Sequence, residues 1–317
     1  MLPNSINLIK LLNTNTITMT EENHKNHKSG FVNIVGNPNT GKSTLMNALV
    51  GEKISIITSK AQTTRHRIMG IVNSDDFQIV YSDTPGVLQP MYKLQETMLN
   101  FSKSALNDAD VILYVTDIYE TIDKNNEFLS KVQKTEIPVL LILNKIDLSN
   151  TEQVEKLVEV WKILLPNAEI FPTSALEKFN VDNMFKRILE LIPVSPPYFP
   201  KDQLTDRSER FFVSEIIREK ILLNYKKEIP YSVEIEIEEF IETDDIIRIR
   251  AVIHVARDSQ KGIIIGHQGS ALKRVGTQAR KDMEKFFEKK IFLQTYVKVS
   301  KDWRDSNRKL EEFGYVK

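Results

Sequence analysis

Nine residues, GNPNTGKST from Gly36 to Thr44, constrain this chain more than any other stretch. They lie between an apolar run, FVNIV, and a helical-looking one, LMNALV. They fit G-x-x-x-x-G-K-[ST] at Gly36, Gly41, Lys42 and Ser43, in the strand–loop–helix context that gives this pattern meaning. Glycines permit a backbone whose successive N–H groups point inward. The helix that follows adds the positive end of its dipole. Lys42 supplies a point charge for outer phosphates, and the Ser43 hydroxyl suits a Mg²⁺ ion.

From Phe31 to about Ile192, short apolar runs alternate with amphipathic stretches. FVNIV, FQIVYSD, DVILYVTD, IPVLLILNK and IFPTSA are rich in Val, Ile and Leu, as strands covered on both faces are. LQETMLNFSKSALND and TEQVEKLVEVWKILL carry helical patterns between them. This predicts an α/β nucleotide-binding domain over 30–192, with a mostly parallel sheet and helices on both faces. PVSPPYFPKDQLTDRS follows, and its four prolines predict an extended linker over 193–208.

Two later stretches choose the base. DTPG, Asp83 to Gly86, ends the strand FQIVYSD; an Asp there can hold the metal through water, and the Gly86 N–H can meet the terminal phosphate. NKID, Asn144 to Asp147, ends IPVLLILNK. A carboxylate at Asp147 accepts two N–H bonds that guanine offers and adenine does not, and a half-paired buried carboxylate is expensive. Asn144 and the Lys145 stem would brace the loop and cover the base, and a backbone N–H of TSA, Thr173 to Ala175, would reach the guanine carbonyl. The expected nucleotide contacts are Gly36, Asn37, Pro38, Asn39, Thr40, Gly41, Lys42, Ser43 and Thr44, then Asp83, Thr84, Pro85, Gly86 and Val87, then Asn144, Lys145, Ile146 and Asp147, and Ser174 with Ala175. The expected ligands are GTP or GDP with Mg²⁺. The set resembles the translation-factor class of P-loop GTPases.

ISIITSKAQTTRHRIMGIV lies between the phosphate loop and DTPG, where a mobile switch belongs. Thr63 or Thr64 would complete the metal shell that Ser43 and Asp83 begin; Thr64 is the residue chosen here. Ras-like enzymes place a water-orienting Gln just after the D-x-x-G element. Here that position is Val87, so hydrolysis should be slow unless something else positions the water. The resemblance implies Asn39 for that task, through a K⁺ ion acting like an arginine finger. Lys42, Thr64, Gly86 and Asn39 are the expected catalytic residues.

The second half, 209–317, reads α-β-β-α-α-β and then a tail helix, WRDSNRKLEEFGY. GHQG, Gly266 to Gly269, joins two helices, with Lys261 before it and Lys273 and Arg274 after it. Such a turn lets a nucleic-acid backbone approach closely, and KH domains use G-x-x-G to clamp about four nucleotides. The segment resembles an α+β type II KH domain. Lys261, Gly266, His267, Gln268, Gly269, Lys273 and Arg274 are the expected RNA contacts. The chain is neutral overall, with 43 basic and 43 acidic residues. Its charge is segregated: acids without Lys or Arg run from Glu228 to Asp245, and bases prevail from Arg257 to Lys309. One face can therefore attract phosphates. The acidic run is expected to be a solvated strand pair.

Cysteine is absent, which excludes a disulfide framework, thiolate metal sites and a cysteine nucleophile. No segment approaches the roughly 20 apolar residues of a membrane span. Residues 1–29 read as a disordered extension, with Met19 as an alternative start. KAQTTRHRIMGI, DTPG, NKID and IIIGHQGSALKRVG together closely resemble the Era family of GTPases, over nearly the whole chain after Gly30. The resemblance implies a monomeric factor in the cytoplasm, peripheral on the inner membrane face. It also implies binding to the small ribosomal subunit near the 3′ end of its RNA and action in that subunit's assembly. Asp147→Asn should shift preference from GTP toward xanthosine triphosphate, read by competition binding; retained preference for GTP would count against the guanine assignment.

Overall fold

The apolar runs of the first half form one six-stranded sheet. The computed structural model describes residues 26–120 and 126–316. Its first strands are β1 (Lys28–Gly36), β2 (Ile68–Asn73), β3 (Phe77–Asp83), β4 (Val111–Asp117), β5 (Val139–Asn144) and β6 (Glu169–Pro172). Their order is β2-β3-β1-β4-β5-β6. All neighbours pair parallel except β2, which runs antiparallel to β3 at the edge. Helices α1 (Lys42–Val50), α2 (Lys93–Ser104), α3 (Asn126–Gln133), α4 (Thr151–Leu164) and α5 (Val181–Leu191) cover both faces. Alternation along β1 divides the core. Val32 and Ile34 pack with Leu45 and Met46 of α1 and Met184 and Ile188 of α5. Val35 packs on the other side with Phe128 of α3 and Trp161 of α4. Because β1 lies between β3 and β4, the strand order reverses at its carboxyl end, and ligands of such sheets seat in the crevice formed there.

The second half builds α6 (Glu209–Asn224), β7 (Val233–Glu242), β8 (Ile246–Val255), α7 (Asp258–Ile265), α8 (Ser270–Phe287) and β9 (Lys290–Val299). β8 lies between β7, antiparallel to it, and β9, parallel to it. Ile217 and Ile221 of α6, Ile264 of α7 and Val275, Ala279 and Met283 of α8 bury one face of this sheet.

Several expectations are corrected. Of the expected extension, residues 1–25 lie outside the described residues. Lys28 and Ser29 are the first rungs of β1, paired with Phe77 and Gln78, so the sheet begins before Gly30. The end of the expected switch, IMGIVN, is β2, stabilised by its ladder to β3. The 193–208 segment is extended, as its prolines require, but it is pinned along the sheet. The Ser29 amide donates to the Pro193 carbonyl at 3.1 Å and the Ile71 amide to Leu204 at 2.8 Å. The amides of Tyr198 and Phe199 both donate to Gln78 Oε1. The tail is not one helix but a tight turn at Trp303–Asp305 followed by α9 (Asn307–Glu312).

That tail wedges between the two halves. Trp303, Leu310 and Tyr315 pack with Leu94 and Met98 of α2 and with Ala256. Trp303 is wholly buried, and its Nε1–H donates to the Ser232 carbonyl at 3.0 Å. Beside it, the buried guanidinium of Arg65 donates to the Val233 carbonyl at 2.7 Å, the Pro230 carbonyl at 3.2 Å and Glu234 Oε2 at 3.2 Å. The Tyr315 hydroxyl donates to the same carboxylate oxygen at 2.5 Å. The acidic run is therefore not wholly solvated: Glu234 turns inward because a buried guanidinium must be paired. Replacing Trp303 by Ala removes a large buried ring and should cost about 3–5 kcal/mol, read as a lowered denaturation midpoint.

Candidate nucleotide site and RNA loop

The loops after β1, β3, β5 and β6 meet at one edge of the sheet, because parallel strands end together. Between them lies a cleft of about 460 Å³, lined by Asn39, Gly41, Lys42, Ser43 and Thr44 at one end and Asn144, Lys145 and Asp147 at the other. Lys42 lies at its buried floor; its ammonium donates to the Asn37 carbonyl at 2.7 Å. Burial lowers its pKa to about 8, against the pull of Asp83 and Glu120. Thr40 Oγ1 also donates to the Asn37 carbonyl, at 3.1 Å. Asn39 has φ +67° and Gly41 φ +95°, so the loop turns tightly around the cleft. Gly86 packs against Pro38: a Cβ there would stand 2.6 Å from Pro38 Cα. Only glycine lets the DTPG element approach the phosphate loop this closely.

Three oxygens converge beside Lys42. Ser43 Oγ lies 2.7 Å from Asp83 Oδ2 and 2.8 Å from Thr64 Oγ1, and Thr64 Oγ1 lies 3.2 Å from the same carboxylate oxygen. Thr63 is turned away: its hydroxyl bonds Thr58 and the Lys60 carbonyl. Asp83 is buried with Oδ1 lacking a partner, and burial pushes its carboxyl pKa upward against the Ser43 hydroxyl and the Lys42 ammonium. Two hydroxyls beside a carboxylate with an orphan oxygen fit Mg²⁺, which takes few protein ligands and completes its octahedron with water and phosphate. Among the described residues, no cluster of His, Cys, Asp or Glu offers another metal site.

The far end holds the base elements. Asn144 ties the loops together: its Nδ2 donates to the Thr40 carbonyl at 2.8 Å and its Oδ1 accepts from the Ala175 amide at 3.0 Å. Lys145, at φ +63°, donates to the Asn39 carbonyl at 2.5 Å and to Asp117 at 2.6 Å. Asp147 is exposed into the cleft. Around it Tyr119, Leu148 and Leu176 are 63%, 59% and 73% exposed, apolar surface suited to the faces of a purine ring.

Other expected contacts sit behind the cleft wall. Thr84 is buried and donates to the Ile34 carbonyl at 2.8 Å, and the Pro85 carbonyl accepts from Ser102. Val87 packs its side chain into the core, with its amide on the Gly36 carbonyl at 3.1 Å. Ile146 packs against the same core. Asn37 donates to Glu120. The Thr173, Ser174 and Ala175 amides donate to Leu143, Phe179 and Asn144. Asn144 needs that acceptor bond to hold its loop. Sequence reading missed Asp117, which orients Lys145; its place at the end of DVILYVTD was the available signal.

In the second half, α7 ends at Gly266 and α8 begins after Gly269. Gly266 has φ +71°, and a Cβ there would meet Ala271 Cβ at 2.6 Å, so this turn requires glycine. His267 and Gln268 are exposed at the tip, and Lys273 and Arg274 are exposed on the first turns of α8. Lys261 is half-buried on α7. The turn thus presents backbone, a helix N-terminus and two cations together, chemistry suited to a phosphodiester chain.

Comparison with known proteins agrees with this geometry. Residues 31–145 match the family described as 50S ribosome-binding GTPase, and residues 228–304 match the KH domain family. The GTPase Era of Staphylococcus haemolyticus (strain JCSC1435) is 43% identical over 292 residues, covering 92% of this chain and 98% of that protein. A point variant of Aquifex aeolicus Era bound to GDP·AlF4⁻ superposes with TM-score 0.87 and 37% identity, covering 92% of this chain and all of the other. Era in complex with MgGDPNP and nucleotides 1506–1542 of 16S ribosomal RNA gives TM-score 0.88 and 37% identity at the same coverage.

Thr64→Ala removes one of the three convergent oxygens. It should raise the Mg²⁺ concentration needed to bind a non-hydrolysable GTP analogue and leave GDP binding unchanged, measured by fluorescent-nucleotide titration.

Proposed function

The chain belongs to the Era family of GTPases, and from that premise we propose that it is a GTP-operated RNA-binding switch acting in small ribosomal subunit assembly and maturation. It hydrolyses GTP to GDP and phosphate. It binds small-subunit ribosomal RNA near the 3′ end through its KH domain, the segment class seen on the related Era in complex with 16S RNA. The observation that carries this reading is the convergence of Ser43, Thr64 and Asp83 beside Lys42, on the same chain as a G-x-x-G turn between two helices.

Each residue then has a task. The phosphate loop from Gly36 to Thr44 directs N–H groups and the α1 dipole at the phosphates, and Lys42 faces the outer ones. Ser43, Thr64 and Asp83 would hold Mg²⁺, which would supply charge neutralisation at the outer phosphates. The Gly86 N–H meets the terminal phosphate. Asp147 reads guanine, with Asn144 and Lys145 stiffening its loop. Val87, buried in the core, orients no water, so turnover is slow; Asn39, which lines the cleft, is the residue through which a K⁺ ion would assist. Lys261, Gly266, His267, Gln268, Gly269, Lys273 and Arg274 contact RNA. The protein acts as a monomer with the sheet domain from Lys28, where β1 begins, to about 192, the linker at 193–208 and the KH domain at 209–317. Its place is the cytoplasm, with peripheral contact at the inner membrane face, as the family resemblance implies.

A ligand shifts a conformational equilibrium only by its differential affinity for the two states. RNA spanning the small-subunit 3′ end should therefore bind with different affinities to the forms loaded with GTP analogue and with GDP, read by fluorescence anisotropy. Equal affinities would reduce the protein to two independent activities.

A further inference from the structure

The segment that carries Thr64 is gripped from the other half of the molecule. α6 lies against it, and Arg218 of α6 is only 1% exposed. Glu215, one turn earlier, fixes this guanidinium: Nε donates to Oε1 at 2.7 Å and a terminal nitrogen to Oε2. The same guanidinium donates to the Thr63 carbonyl at 2.5 Å and to the Gln62 carbonyl at 3.4 Å. Gln62 is held at φ +57°, a left-handed conformation that a residue with a Cβ keeps only when its surroundings impose it. Before this grip, Lys60 donates to the Leu222 and Tyr225 carbonyls at the end of α6. After it, Arg65 donates to the Pro230 and Val233 carbonyls. The Thr64 hydroxyl turns the other way, to Ser43 and Asp83.

We propose that Arg218, a residue of the RNA-binding half, is a positioning residue for GTP hydrolysis. Locked by Glu215, it fixes the Thr63 carbonyl, the acceptor in the peptide that leads into Thr64, and so aims the Thr64 hydroxyl at the metal site. It lines no part of the nucleotide cleft and acts only through the switch backbone. The task suits Arg: a carboxylate and two carbonyls require a planar fork of several donors, which the single ammonium of Lys does not supply. The grip also gives the second domain a direct hold on the reacting site, independent of the G-x-x-G turn. This assignment rests on the GTPase reading above.

The test uses the full-length chain and three variants. Arg218→Ala removes the grip. Arg218→Lys keeps the charge without the fork. The paired change Glu215→Leu with Arg218→Met replaces a buried ion pair by apolar groups of similar size, which the fold commonly tolerates. Single-turnover GTP hydrolysis should fall about 10- to 100-fold in all three, and the Mg²⁺ needed for half-maximal hydrolysis should rise. GDP affinity and the melting temperature of the paired variant should stay at wild-type values. Wild-type hydrolysis in the paired variant overturns the assignment. So does loss of GDP affinity and hydrolysis by the same factor, the mark of a purely structural role. A wild-type chain that turns over no GTP overturns both this inference and the reading beneath it.

Discussion

The turn from β1 through the phosphate loop into α1 sets the terms for the rest of the first domain. It needs a strand end in the middle of a parallel sheet, since only there do neighbouring strands deliver their own loops to the same edge. β3 brings Asp83 and Gly86, β5 brings Asn144 to Asp147, and β6 brings the Ala175 amide that holds Asn144. Lys42 can stay at the floor of the cleft because the Asn37 carbonyl accepts from its ammonium. Asp83 can stay buried because two hydroxyls, from Ser43 and Thr64, lie against one of its oxygens.

A second constraint is buried charge. Arg65 and Arg218 are almost completely withdrawn from water, and unpaired guanidinium groups at such depth would be intolerable. Each is paired with a carboxylate from the second half and donates to backbone carbonyls across the domain boundary. The stacking of His66 on Tyr315, with ring centroids 4.3 Å apart, closes the same interface. His66 is kept well below the ordinary imidazole pKa, first by burial and then by Arg207, Arg218 and Arg65. Its neutral form is what this cluster of cations accepts. The switch segment is therefore part of the domain interface as well as part of the nucleotide site.

Much of this was legible in the chain itself. GNPNTGKST, DTPG and NKID each stand at the end of an apolar run, and the runs are long enough to identify as covered strands. G-x-x-G with basic flanks, inside an α-β-β-α-α-β order, identified the second domain. Other features left weaker marks. IMGIVN looked like the tail of a loop because nothing local says that it pairs with β3. Glu234 looked solvated because its run is acidic, and its partner Arg65 lies 169 residues away in the chain. The 193–208 segment was correctly extended, but its hydrogen bonds run to β1, β2 and Gln78, residues more than a hundred positions earlier. The TSA amides bond Leu143, Phe179 and Asn144, a matter of loop packing that no local pattern records.

Local sequence thus determined the chemistry of each element: which turn cradles phosphate, which carboxylate can read a base, which turn can admit an RNA backbone. Those properties depend on neighbouring residues and on the conformations open to them, and pattern records both. Tertiary structure alone decided that a tail tryptophan wedges the halves together and that guanidinium groups from both sides cross the boundary. These outcomes depend on pairing charges and filling volume between segments distant in the chain, and no short stretch of sequence contains that information.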